Sequence, residues 1–75
     1  MIDRRFAEEV LERLSVAVSD ILEETHPITF DAVIGGDLSR EDQIAEAGDD
    51  ILTLVRAMRV FRRRAGVEDW GRRHD

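Results

Sequence analysis

Between Ser39 and Ala65 the apolar residues Ile44, Ala47, Ile51, Leu54, Met58, Phe61 and Ala65 recur in alternating steps of three and four. That spacing is a heptad seam, and it predicts a helix over about 40–65 that needs a partner helix along its length. Ser39, with Asp42 three residues on, offers a variant of the capping box, and Gly66 can take the left-handed conformation that ends a helix. The charges are sorted along this segment. Glu41, Asp42, Glu46, Asp49 and Asp50 come first, and Arg56, Arg59, Arg62, Arg63 and Arg64 come last, so each cluster complements its end of the helix dipole. Gly48 costs roughly 1 kcal/mol relative to alanine inside a helix, and a close helix crossing is the expected reason for it.

A first helix is predicted over about 3–24. Steps of 100° place Phe6, Ala7, Val10, Leu11, Leu14, Ala17, Val18, Ile21 and Leu22 on one face and leave Val16 as the one apolar residue opposite. The stripe covers nearly half the circumference, which is wider than a two-stranded seam requires, so two neighbours are expected, one of them from another subunit. Pro27 is expected to end this helix, because proline lacks an N–H and disfavours helical geometry in the residue before it. Residues 25–38 then read as a connector with one short helical turn, capped by Thr29 and stopped by Gly35 and Gly36, in which Phe30, Val33 and Ile34 plug the open end of a hairpin. A short strand is the rival reading, but a lone apolar strand would be an exposed edge. Residues 66–75 read as a tail in which Trp70 packs back on the helices.

Folding the helices back on one another sets Glu8, Glu9 and Glu12 beside Arg56, Arg59, Arg62 and Arg63. Exposed ion pairs contribute only about 0–1 kcal/mol each, so this match selects the antiparallel orientation more than it stabilises it. The expected architecture is all-α: an antiparallel helical hairpin with a short middle helix, forming one domain over 1–75 and dimerising into a four-helix bundle. Leu14, Val18, Ile21, Ile44, Ile51, Leu54, Met58 and Phe61 are the expected interface residues. Size points the same way. A 75-residue chain rarely has a core worth more than about 3–5 kcal/mol, and with no cysteine to form a disulfide the usual remedy is a second chain.

The net charge of −6 disfavours general attraction to nucleic acid or anionic membranes. No apolar run is long enough to span a bilayer, and the Met1–Arg5 start has no apolar signal segment, so a cytoplasmic protein is expected. All eleven basic side chains are arginine, a bias that concerns the host more than the function.

Two acidic motifs carry the most specific catalytic suggestion. Glu8-Glu9-Val10-Leu11-Glu12 has the form E-E-x-x-E, and Glu46-Ala47-Gly48-Asp49 has the form E-x-x-D. At these residues the chain resembles the MazG-like all-α nucleotide pyrophosphohydrolases. The resemblance implies Mg²⁺ held against a nucleoside triphosphate by Glu9, Glu12, Glu46 and Asp49, and magnesium does prefer such hard oxygen ligands. On the wheel, however, all four carboxylates fall on the polar sides of their helices.

Other chemistry is thinner. Glu23 and His26 form a single E-x-x-H, whereas a di-iron bundle uses two copies and further inward glutamates. Ser15, Ser19 and Ser39 lie in no recognisable triad, and Gly35-Gly36 is too short to cradle a phosphate. The five arginines of the second helix could meet phosphates, but stacking aromatics are scarce, which argues against nucleic acid. The reading favoured by the residues is a non-enzymatic, acidic interaction or assembly module without cofactor, pairing with itself as a homodimer or with another helical protein. The alternatives are the Mg²⁺-dependent pyrophosphohydrolase and an acidic inhibitor that occupies a nucleic-acid-binding groove.

Overall fold

The structure is a computed structural model and describes residues 2–66. Two helices, α1 (Arg4–Gly35) and α2 (Glu41–Ala65), pack against each other, and the described residues include no strand. Phe6 meets Phe61 at one end, while Ile21 and Thr25 share a groove with Gln43 and Ala47 toward the other, so the helices are antiparallel. The expected packing of Trp70 lies outside the described residues.

The expected stop at Pro27 and the separate short middle helix are corrected. α1 runs through Pro27 without interruption for 32 residues. Proline removes one N–H bond and crowds the carbonyl four residues back, here that of Glu23, at a cost of about 3 kcal/mol. The helix continues because its seam continues. Ala7, Leu11, Leu14, Val18, Ile21, Thr25, Ile28 and Ala32 follow one another in steps of three and four, and each is at least partly buried. Breaking the helix at Pro27 would have removed Ile28 and Ala32 from this line. Thr25, the one buried polar residue described, satisfies its hydroxyl by donating to the Ile21 carbonyl at 2.7 Å.

α1 instead ends at a glycine. Gly36 adopts φ 69° and donates its N–H to the Asp31 carbonyl, which also accepts from Asp37 N–H at 3.2 Å. α2 ends the same way at Gly66, with φ 74° and its N–H on the Arg62 and Arg63 carbonyls, as the sequence predicts. The start of α2 differs from the expectation. The residue flanking its first turn is Arg40, without a side-chain cap. Ser39 instead donates its backbone N–H to Asp37 Oδ1 at 3.0 Å, so the aspartate orders the turn from which α2 departs.

The molecule measures 46 × 25 × 15 Å with a radius of gyration of 15.8 Å, whereas a compact 75-residue chain would have about 11 Å. Two helices side by side make one layer a single helix thick. Only the facing lines are covered, and Ala7 and Ala47 are the buried apolar residues among those described. No large described side chain is fully buried.

Candidate functional site

The residues expected at an intermolecular interface divide into two lines along the intramolecular seam. Leu14, Val18 and Ile21 on α1, and Ile44, Ile51, Leu54, Met58 and Phe61 on α2, are all partly buried. They cover one another only on their inner sides, because a single layer leaves the upper and lower edges of the seam open. Phe6 closes the end beside Phe61, ring centroids 6.2 Å apart and planes tilted by 54°.

The two broad faces of the hairpin differ in chemistry. On one, Ile21, Glu24 and Thr25 of α1 and Gln43, Glu46, Ala47 and Asp50 of α2 line a shared groove. Three carboxylates from two helices therefore rim this face near the turn. The opposite flanks of the same helices must share the other face. On α1 these are Leu11, Ser15, Val18, Leu22, His26, Thr29 and Val33, and on α2 Ile44, Gly48, Ile51, Val55 and Met58. Helical periodicity puts no acidic or arginine residue on either strip between those limits. This face is consequently an uncharged strip bounded by charges. Arg59 and Arg62 border it where they line a groove with Val55 and Met58.

Gly48 belongs to the uncharged face and corrects another expectation. A Cβ built there would meet nothing within 4 Å, so the close crossing expected at Gly48 is not made with α1. Near the turn, α1 extends beyond the start of α2, and Phe30, Val33, Ile34 and Leu38 are 55–75% exposed. They do not plug the hairpin. The His26 ring stacks on Phe30 with centroids 6.3 Å apart, and His26 itself is exposed.

The structure does not bring Glu9, Glu12, Glu46 and Asp49 to one place. Glu9 and Glu12 line a groove with Arg13 and Val16 on the outer side of α1, while Glu46 belongs to the groove near the turn. Among the described residues no group of three or more histidine, cysteine, aspartate or glutamate side chains is arranged to hold a metal ion. Glu24 and Asp50 are the carboxylates that approach Glu46, and the sequence reading singled out neither for a site. The i,i+4 spacing on α2 finds Asp50, and a wheel of α1 combined with antiparallel pairing finds Glu24.

The charge match across the hairpin is looser than expected. Arg4 Nε and Glu8 Oε1 lie 3.3 Å apart, one turn apart within α1, and among the described residues no ion pair crosses from α1 to α2. All five α2 arginines between Arg56 and Arg64 are exposed. Asp37 is the described group with a displaced titration, its carboxyl held below the ordinary value by hydrogen bonds from the Ser39 side chain and backbone, with help from the Arg40 charge. No helix among the described residues is long and apolar enough to cross a membrane. In comparison with known proteins, the chain matches no family model, no curated protein and no solved structure.

Proposed function

We propose that this chain is a non-enzymatic assembly module, whose product is the apolar face of an antiparallel helical hairpin presented to further helices. One observation carries the reading. Among the described residues ten large apolar side chains are at least 41% exposed, Leu22, Val33 and Val55 of them on the uncharged face, while no large side chain is fully buried. Burying an exposed leucine, valine or phenylalanine stabilises by roughly 1.5–3 kcal/mol, and a single layer of two helices leaves most of that gain unrealised. Packing of a second layer realises it, and the four-helix bundle is the simplest architecture that does so. Gly48 supports the reading, since its open outer side lets another backbone approach closely.

The test is the concentration dependence of stability. Folding coupled to association makes Tm rise with chain concentration. Val55→Asp places a carboxylate on the exposed strip, where it costs little in a lone hairpin but is buried in an assembly. The expected result is a concentration-dependent Tm for the parent and loss of assembled mass for the variant. A folded parent with a Tm independent of concentration, matched by the variant, would refute the proposal.

A further inference from the structure

Resting on that assembly reading, we propose that the uncharged face is covered by a second copy of this chain with its turn at the opposite end, so that α2 lies antiparallel on α2. Two copies stacked face to face by a two-fold axis have two choices. An axis along the hairpin keeps both turns at the same end and lays α1 of each copy over α2 of the other. An axis across the hairpin puts the turns at opposite ends and lays each helix on its own counterpart.

Charge distinguishes them. From Glu41 to Asp50 α2 carries five carboxylates and no arginine, and from Arg56 to Arg64 five arginines and no carboxylate. Antiparallel stacking of α2 on itself brings each acidic half beside a basic half. The other axis brings the acidic half of α2 over the turn-proximal part of α1, which carries Asp20, Glu23, Glu24 and Asp31 and no arginine. Like charges would then face one another at the turn end, and juxtaposed like charges suppress a docking mode more strongly than exposed pairs stabilise one.

Register and size agree with the crossed arrangement. Centring the axis between Ile51 and Leu52 sets Gly48 opposite Val55 of the other copy and Glu41 opposite Arg62, and brings Ile44 within one residue of Met58 and Glu46 within one residue of Arg56. The open side of Gly48 thus receives the half-exposed Val55. The broad side of the molecule fits within 46 by 25 Å, a rectangle of roughly 1,100 Å², so a standard interface of roughly 800 Å² per partner would take in most of it.

The test uses a chain that has no cysteine of its own. A spin label on Ser39→Cys marks the exposed turn, and pulsed electron resonance reads the distance between labels while light scattering reads the mass. The proposal expects twice the 8.6 kDa chain mass and a separation on the order of 35–40 Å, from the 1.5 Å rise per helical residue. A dimer with labels within about 20 Å, two helix diameters, overturns the crossed arrangement and leaves the assembly reading intact. A particle of one chain mass whose Tm is independent of concentration overturns both. A particle of one chain mass that is stabilised only by a different protein overturns the second copy alone. As an independent check, mixing Ile44→Cys and Met58→Cys chains under oxidation should give a mixed disulfide-linked dimer in preference to either self-linked one.

Discussion

Phe6 and Phe61 stand at opposite ends of the described chain but meet in space, their ring centroids 6.2 Å apart with the planes tilted by 54°. They join the first turn of α1 to the last turns of α2 and hold the end of the hairpin away from the loop. Tilted aromatic pairs contribute roughly 0.5–1.5 kcal/mol beyond area burial. A double-mutant cycle of Phe6→Leu and Phe61→Leu, read by chemical denaturation, should return a coupling in that range. A coupling near zero would mean that the two rings meet without stabilising the fold.

Leu54 and Val55 are neighbours in sequence with different environments, since Leu54 is on the seam and partly buried whereas Val55 is 41% exposed. Leu54→Asp introduces a charge between α1 and α2 and should unfold the hairpin or lower its stability by several kcal/mol, on the order of 3–5. Val55→Asp should act through association alone. Circular dichroism of the two variants at matched concentration, with sedimentation of each, separates the effects.

Pro27 leaves the Glu23 carbonyl without its helical N–H partner. Pro27→Ala restores that donor within a helix that already spans the position, so the variant should be more stable by about 1–3 kcal/mol. A lower Tm would instead show that the packing of α1 depends on the proline itself.

Asp37 titrates below the ordinary carboxylate value. A carboxyl with its folded pKa depressed contributes stability above its unfolded pKa, and that contribution is lost as pH falls through the folded value. Ser39→Ala removes the largest cause of the shift, the hydroxyl donor, and should return Asp37 toward its ordinary pKa in a carbon-detected NMR titration. Because the site is fully exposed, the change in overall stability should be small.

Mg²⁺ with a nucleoside triphosphate should leave Tm unchanged, because Glu9 and Glu12 face a different groove from Glu46. A rise in Tm that Glu12→Gln abolishes would move the function to metal-dependent hydrolysis.

Much of the fold was legible because periodicity is a local property. The three-and-four spacing of Ile44 to Ala65 marks α2 and its inner face, and Gly66 ends it with the positive φ that glycine permits. The sorted charges of α2 can likewise be read directly from the chain.

Pro27 misled because a strong local rule competed with a weaker pattern of longer range. The line Leu14, Ile21, Ile28 passes through the proline at constant seven-residue intervals, and continuity of packing along that line outweighs one lost hydrogen bond. The carboxylates show the same limit. Wheels placed Glu9 and Glu46 on polar sides and Asp50 one turn from Glu46, but only the pairing of helices in space put Glu24 in the same groove.

The sequence by itself determined that this chain forms long amphipathic helices whose apolar stripes exceed what one partner can cover, because stripe width follows from residue spacing alone. The tertiary structure decided where the turn falls, which carboxylates meet, and which broad face is left uncharged. Those outcomes depend on the register and rotation of one helix against the other, and residues far apart along the chain set them together.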